Sequence, residues 1–345
     1  MRTAVTVGAL ALAALMIGPT AVHASSAADA ASVPSQSATG AAGKATYTAK
    51  AGAAGSGRKG DPTPTPTPVP TPAPTPTPTE TAAATDPLLQ SVSVDTVAYG
   101  PHIRQRMDVW YQGDGRVRPG VFLIHGGWWS SGDKKQMTAV TRSYVEQGYT
   151  VFNINYRLSG DAAWPAQRTD TLDAIATARR HAPLWAFDPD NYVVVGFSAG
   201  GHLSTAVGTY GSGLPGLRGV VGISPVISPI TAYNEGADTL DVNSRKLRES
   251  AILLAGGCEP VKCPKIWNSM EVPLHASRGD APVLTFHSED EFVSVEHSNR
   301  LQERLAKAGV NMTVRTEPGT EHSSPMYRLP GVAETVHAWI AARLR

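Results

Sequence analysis

The feature that most constrains this chain is residues 193–203, where an apolar strand runs into a glycine-rich turn and then into a helix-compatible segment. The three valines at its start are typical of a strand that is covered on both faces. The Gly-x-Ser-x-Gly turn that follows is centred on Ser198, and such a turn strains its serine and points the hydroxyl out of the sheet. Gly196 and Gly200 are required because a Cβ would clash where strand and helix pack closely. Ser198 is therefore a candidate nucleophile, and the alternative is an ordinary glycine turn with an inert serine.

Residues 1–24 have the pattern of a secretory signal peptide. Arg2 gives a positive start, residues 4–17 form an apolar run that is short for crossing a bilayer, and small residues near Ala24 offer a cleavage site. We expect a mature chain that begins near Ser25 and is secreted, with association with the cell wall left open. A retained membrane anchor is the alternative, but no stable membrane insertion is expected after cleavage.

The next two segments have compositions that do not favour a packed core. Residues 25–60 are rich in Ala, Gly and Ser, with few bulky apolar side chains, and are expected to be disordered. Residues 61–87 contain a nearly alternating Thr-Pro sequence, which predicts an extended and semi-stiff linker. The threonines of this linker are candidate O-glycosylation sites. One folded domain is expected over residues 88–345.

Strand and helix patterns alternate through residues 88–345. The expected strands are residues 90–99 and 102–111 (as a hairpin), 121–124, 149–156, 193–195, 217–226, 251–254, 282–286 and 312–316. The expected helices are residues 138–147, 165–182, 295–308 and 332–344. Residues 233–248 are polar and are expected to be an irregular insertion near the mouth of the site. The alternation predicts an α/β fold with a doubly wound, mostly parallel sheet and helices on both faces.

A second glycine-rich motif, His125-Gly126-Gly127-Trp128, follows the apolar strand 121–124. Two successive glycines leave backbone N–H groups bare, so they can approach a developing oxyanion. Together with the N–H of Ala199, they would form an oxyanion hole. The second donor stays open between Gly126, Gly127 and Trp128, and the alternative is a turn whose glycines serve only its backbone angles.

The pairing of His-Gly-Gly-Trp with Gly-Phe-Ser-Ala-Gly-Gly-His resembles the α/β-hydrolase superfamily. More narrowly, it is similar to the secreted carboxylesterase and arylformamidase-like branch related to hormone-sensitive lipases. The resemblance extends over residues 92–345 and includes Asn155-Tyr156-Arg157. It implies an α/β-hydrolase fold, an esterase-type reaction and no cofactor, and it does not fix the substrate.

The acid that orients the catalytic base is expected in residues 286–293, after the strand 282–286. Three carboxylates stand in a row there, at Glu289, Asp290 and Glu291. The superfamily pattern, counted back from Val293, selects Asp290 and leaves Glu289 and Glu291 as alternatives. A solvated charge cluster at the start of a helix is the non-catalytic interpretation.

The base is expected at His322, in a loop after the strand 312–316. Ser198, Asp290 and His322 then follow the chain order that this fold requires. The other histidines fit less well; His202, for example, lies inside the helix of the nucleophile, and His287 lies at a strand end where packing roles are common.

Trp128, Trp129 and Phe197 are close in sequence to the expected chemistry and are candidate substrate-pocket residues. Packing under the loop is the alternative for Trp129. The chain's only two cysteines, Cys258 and Cys263, are expected to form a short disulfide because the chain is expected to be secreted. A metal site would need further ligands, and none cluster there.

These features predict a secreted serine carboxylesterase that acts on small acyl or acetyl esters. The substrate is expected to be a small molecule or an ester linked to a polysaccharide. The formal net charge of +1 gives no indication of nucleic acid as a partner. The alternatives are an arylformamidase or amidase with the same triad, and a non-catalytic binding protein on a hydrolase scaffold. Acyl-chain length, the alcohol portion and the oligomeric state are left open.

Overall fold

The structure is a computed structural model that describes residues 92–344. Its eight strands are β1 (Val92–Ala98), β2 (Arg106–Gln112), β3 (Arg118–Ile124), β4 (Thr150–Ile154), β5 (Phe187–Phe197), β6 (Leu217–Ile223), β7 (Val283–Ser288) and β8 (Met312–Glu317). They form one sheet in the order β1-β2-β4-β3-β5-β6-β7-β8. The pairs β1–β2 and β2–β4 are antiparallel, and the other pairs are parallel. The expected mostly parallel α/β sheet is confirmed. The predictions for residues 1–24, 25–60 and 61–87 lie outside the described residues.

Helices cover both faces of this sheet. They are α1 (Thr138–Glu146), α2 (Ala166–Arg180), α3 (Ala199–Gly208), α4 (Pro229–Glu235), α5 (Val242–Leu254), α6 (Pro264–Met270), α7 (Glu296–Ala308), α8 (Ser324–Tyr327) and α9 (Val332–Ala341). The side chains of β3 alternate between two hydrophobic cores: Phe122 and Ile124 lie in one, and Val121 and Leu123 lie in the other. Within residues 92–344, no helix has both the length and the apolar character that a membrane crossing requires.

The region before the disulfide differs from expectation. Residues 251–254, predicted as a strand, are the last turn of α5, and residues 233–248, predicted as irregular, belong largely to α4 and α5. The side chain of Asp241 caps α5 by accepting a hydrogen bond from the Ser244 N–H, at 2.6 Å. Leu247, Ser250, Ala251 and Leu254 are its buried residues, at helical spacing. The apolar run at 251–254 is therefore the buried end of an amphipathic helix.

Six parallel strands bring their carboxyl ends to one edge of the sheet. These strands are β3, β4, β5, β6, β7 and β8. The loops that follow them meet at that edge, which is where open α/β sheets generally hold their functional residues. The expected catalytic residues all lie in these loops.

Candidate active site

Ser198 occupies the sharp turn between β5 and α3. Its backbone angles are φ 52° and ψ −116°, a strained conformation for a residue with a side chain. A Cβ added at Gly196 would lie 2.0 Å from the carbonyl oxygen of Gly200, and one added at Gly200 would lie 2.3 Å from that of Ile124. Only glycine leaves room for these approaches. The Ser198 N–H donates to the Ile223 carbonyl at 2.8 Å, which ties the turn to β6.

The side chains of Ser198, His322 and Glu291 form one hydrogen-bonded line. Nε2 of His322 lies 2.8 Å from Oγ of Ser198, and Nδ1 lies 2.5 Å from Oε2 of Glu291. In the tautomer that satisfies both contacts, Nδ1–H donates to the carboxylate and Nε2 accepts from the serine hydroxyl. The structure thus brings together the predicted nucleophile and the predicted base. It does not place Asp290 against His322, so the prediction of Asp290 as the acid is corrected to Glu291.

The physical reason for this correction is the path of the loop after β7. Asp290 is exposed, and its N–H donates to the Gly319 carbonyl at 3.0 Å, so it lies on the outside of the turn. Glu291 is the residue at which the chain turns back inward, and its side chain is fully buried. Its Oε1 accepts the Ser288 N–H at 3.0 Å, which leaves Oε2 for His322.

His287 is a second histidine on the same carboxylate. Its Nδ1 lies 3.2 Å from Oε1 of Glu291 and 3.0 Å from the Val293 carbonyl oxygen, and its Nε2 lies 2.7 Å from Oγ of Ser298. Burial by itself would raise the pKa of Glu291, but the hydrogen bonds from His287 and His322 outweigh burial and lower that pKa. The carboxylate therefore stays ionised. The expectation for His287 from the sequence is only a packing role, because nothing along the chain indicates that it faces the acid.

Further hydrogen bonds join the loops around the acid and the base. Oγ of Ser288 donates to the Glu321 carbonyl at 2.6 Å, directly before His322. The Ser323 N–H, directly after it, donates to Oγ of Ser224 at 2.9 Å. His322 is thus held on both sides, by the end of β7 and by the end of β6.

The His-Gly-Gly-Trp loop lies against the nucleophile. A Cβ added at Gly126 would lie 2.8 Å from the Phe197 carbonyl oxygen and 3.1 Å from Cβ of Ser198. Gly127 has φ 116°, and its carbonyl oxygen accepts the N–H of Ser131 at 2.8 Å. Within the part of the chain that the structure describes, the N–H groups of Gly126, Gly127 and Ala199 have no backbone acceptor. The N–H of Trp128 has none there either. The oxyanion hole therefore stays a prediction, with Gly126, Gly127 and Trp128 as the alternatives for its second donor.

The three aromatic residues predicted to line a pocket do not share one environment. Trp128 is half-buried and stacks on Phe292 at 5.2 Å, and the Phe292 ring lies 4.3 Å from that of His322. Trp128 therefore borders the site. Trp129 and Phe197 have no exposed surface and lie in the two cores, so their prediction as pocket residues is corrected to packing. The Phe197 side chain follows Val193 and Val195 onto one face of the sheet, while Ser198 leaves the strand.

Cys258 and Cys263 form the expected disulfide, in a loop before α6. Trp267 anchors this loop by donating its indole N–H to the Cys258 carbonyl at 2.7 Å. Residues 92–344 contain no group of three or more His, Cys, Asp or Glu side chains that could hold a metal ion.

Comparison with known proteins places this site in a family. Residues 107–305, which include the glycine-rich loop, the nucleophile turn and the acid loop, match the BD-FAE family model. The chain belongs to the BD-FAE family. This result also supports the expected α/β-hydrolase superfamily and its hormone-sensitive-lipase-like branch.

One relative of this BD-FAE chain is esterase LipC of Mycobacterium tuberculosis. It is 27% identical over 260 residues, which cover 70% of this chain and 62% of LipC. The chain thus spans less than two thirds of that relative's length.

Solved structures share the fold at low identity. Esterase B of Lactobacillus rhamnosis superposes with a TM-score of 0.62 at 20% identity, over 73% of this chain and 85% of the esterase. An acetyl ester-xyloside bifunctional hydrolase of Caldicellulosiruptor lactoaceticus gives 0.60 at 21% identity, over 72% and 96%. At this identity the likeness establishes an α/β-hydrolase fold.

Proposed function

We propose that this protein is a serine hydrolase that cleaves carboxylic esters through Ser198, His322 and Glu291. The observation that supports this most is the continuous hydrogen-bonded line from the Ser198 hydroxyl through His322 to a buried carboxylate. That arrangement is what activation of a serine by a neighbouring base requires. The naming of LipC as an esterase agrees with the proposal.

In the first half of the reaction, His322 Nε2 accepts the Ser198 proton while Oγ attacks the ester carbonyl carbon. The carbonyl oxygen becomes an oxyanion, and the N–H of Ala199 and an N–H of residues 126–128 stabilise it. Glu291 keeps the Nδ1–H of His322 in place and stabilises the imidazolium. The tetrahedral intermediate collapses, the C–O bond to the alcohol breaks, and the alcohol leaves with the proton from His322.

The second half removes the acyl group from Ser198. Water loses a proton to His322 and attacks the acyl-enzyme carbonyl, and the same backbone N–H groups stabilise the second oxyanion. Collapse breaks the bond to Oγ, which recovers its proton from His322. The acid is released, and the free enzyme is restored.

We propose short acyl groups, acetyl above all, as the preferred substrates. Trp129 and Phe197 are packed in the cores and cannot line an acyl pocket, so Trp128 is the one of the three predicted aromatics that borders the site. Phe292 lies against His322 and Trp128 stacks on Phe292, and this pair of rings also suits a sugar or aromatic ring on the leaving group. An acetyl ester-xyloside hydrolase is among the structural neighbours, and ester groups on polysaccharides are therefore included in the proposal.

A substrate panel on the purified protein tests this function. Hydrolysis of p-nitrophenyl acetate, butyrate and octanoate is compared with hydrolysis of N-formylanilide and release of acetate from acetylated xylan. We expect the acetate ester to be hydrolysed fastest, and Ser198→Ala to lower kcat by about 10⁴-fold or more while the fold survives. Ser143→Ala, which removes a hydroxyl that bonds within α1, is the matched control and should keep full activity.

The other outcomes of the panel identify the alternatives. Faster cleavage of the formanilide than of every ester would indicate an arylformamidase or amidase. A folded wild-type protein that cleaves nothing in the panel would favour a binding protein.

We also propose that the protein is exported. The support is the charged, apolar and small-residue sequence of residues 1–24, followed by the Thr-Pro-rich residues 61–87. N-terminal sequencing of protein recovered from the culture medium should find a start near Ser25. Recovery of an intact Met1 terminus would contradict signal cleavage.

A further inference from the structure

His202 is a fully buried histidine with a hydrogen bond on each ring nitrogen. It lies on α3, one turn after Ser198, and its N–H donates to the Ser198 carbonyl at 3.1 Å. Its Nδ1 accepts the indole N–H of Trp129 at 3.2 Å, and its Nε2–H donates to the Met270 carbonyl at 2.8 Å. One neutral tautomer satisfies both contacts. Burial lowers the pKa of His202 to about 4, which keeps that tautomer neutral near pH 7.

The residue that His202 contacts belongs to the loop of the candidate oxyanion hole. Gly127, Trp128 and Trp129 all have positive φ, at 116°, 58° and 55°. Such angles are unfavourable for residues with side chains and persist only where surrounding contacts hold them. The Trp129 side chain has no exposed surface, and its one polar group is the N–H that bonds His202. Its backbone carbonyl accepts the Ser159 N–H at 2.8 Å.

The oxyanion hole needs donors from two separate segments. Ala199 is at the start of α3, whereas Gly126 and Gly127 belong to the loop after β3. The Trp129–His202 hydrogen bond connects these two segments, since His202 lies three residues after Ala199 and Trp129 lies two after Gly127. A bond at this position fixes the distance between the donors, and preorganised donors are what stabilise an oxyanion.

We propose that His202 is a positioning residue for the oxyanion hole, acting through the indole of Trp129. The inference rests on the proposed function, because it assigns a role in the same reaction. It differs from simple core packing in one respect: loss of the bond should weaken transition-state binding selectively.

Trp129→Phe is the first test, because it removes the N–H and keeps an aromatic ring. We expect kcat for p-nitrophenyl acetate to fall by about 10-fold or more with KM changed by less than about 2-fold, since small displacements of catalytic groups act on the transition state. The affinity for an aliphatic trifluoromethyl ketone should fall by the same factor. Oγ of Ser198 adds to the carbonyl carbon of this inhibitor, and the carbonyl oxygen becomes an oxyanion. The serine proton goes to His322.

Trp267→Phe is the matched control. Trp267 is also fully buried and donates its indole N–H to a carbonyl, that of Cys258. Its hydrogen bond and its ring contact with Tyr233 join it neither to His202 nor to residues 125–129. Trp267→Phe should lower the melting temperature without changing kcat or the affinity for the ketone. A second variant, His202→Gln, offers both an acceptor and a donor and should keep more activity than His202→Leu.

The outcomes separate this inference from the proposed function. An active wild type in which Trp129→Phe loses no more kcat than Trp267→Phe would overturn the positioning role alone. A fall in kcat with unchanged affinity for the ketone would overturn it as well. A folded wild type without hydrolytic activity would overturn the proposed function and this inference together.

Discussion

The two sides of the candidate site differ in the kind of contact that predominates between their segments. On the nucleophile side (residues 124–132 and 196–202), backbones approach so closely that a Cβ at Gly200 would lie 2.3 Å from the Ile124 carbonyl oxygen. On the acid–base side (residues 287–293 and 317–323), hydrogen bonds between loops hold His322, including that from Ser288 to the Glu321 carbonyl at 2.6 Å. On the first side, the close approach of the backbones requires glycines next to the nucleophile. The second side depends on contacts between residues far apart in the chain.

Among the changes that compare the two sides, the largest effect is expected on the acid–base side. Glu291→Gln should lower kcat/KM by about 10³-fold, because a neutral amide does not stabilise the imidazolium or hold the correct tautomer. Asp290→Asn is the matched control, and it should change kcat/KM by less than about 2-fold because the Asp290 side chain is exposed. Initial rates with a p-nitrophenyl ester measure both. Equal losses in the two variants would remove the distinction between these neighbouring carboxylates.

On the nucleophile side, Gly200→Ala should lower the free energy of unfolding by about 3 kcal/mol or more, because strand and helix must move apart. Gly160→Ala is the control; a Cβ there meets nothing within 4 Å, and the change should stay within about 1 kcal/mol. Urea unfolding curves measure both. A Gly200→Ala protein as stable as Gly160→Ala would contradict the steric account of this side.

Acid should destabilise the nucleophile side through its buried neutral histidines. Burial lowers the pKa of His125 and of His202 to about 4, against a value of 6.5 when exposed. Between these pH values the unfolded chain binds more protons, so stability falls as the pH falls, by about 2 kcal/mol for each histidine at pH 5. Urea unfolding of the wild type and of His202→Gln at pH 7.5 and pH 5 measures this. The variant should show the smaller pH dependence; an equal dependence would contradict the assignment to His202.

The smallest effect is expected outside both sides, at the disulfide. Replacing Cys258 and Cys263 together by Ser should lower the free energy of unfolding by about 2 kcal/mol, because the closed loop is short. The value of kcat/KM should stay within about 2-fold of the wild type, since neither cysteine belongs to the hydrogen-bonded line of Ser198, His322 and Glu291. Thermal melts and initial rates measure the two effects. A loss of activity as large as that of Glu291→Gln would mean that the site depends on this loop.

The sequence predicts the nucleophile side well because a close backbone approach requires glycine, whichever segment approaches it. Gly196, Gly200 and the glycines before Trp128 are required by contacts of their own backbones, and a glycine is visible in the chain. The alternation of side chains along β5, continued to the last residue of the strand, also places Phe197 in a core. Likewise, the buried residues of α5 have helical spacing in the sequence.

The acid could not be read in the same way. Choosing among Glu289, Asp290 and Glu291 requires the register of a turn, and that register is set by contacts such as the Asp290 N–H to the Gly319 carbonyl, at 3.0 Å. A pattern counted from Val293 assumes a turn of standard length, and a change of one residue exchanges a buried side chain for an exposed one. His202 bonds residues far away in the chain, Trp129 and Met270, so its place beside the site is set by the fold. His287 bonds Glu291, which is close in the chain, but that contact depends on the path of the same turn.

The central claim is that Ser198 is a nucleophile activated through His322 and Glu291. The most direct measurement is the mass of the protein and of its peptides after reaction with a fluorophosphonate. We expect one adduct, on Ser198, that forms rapidly in the wild type and in Asp290→Asn and much more slowly in Glu291→Gln. A folded wild type that stays unlabelled, or an adduct on another residue, would contradict it.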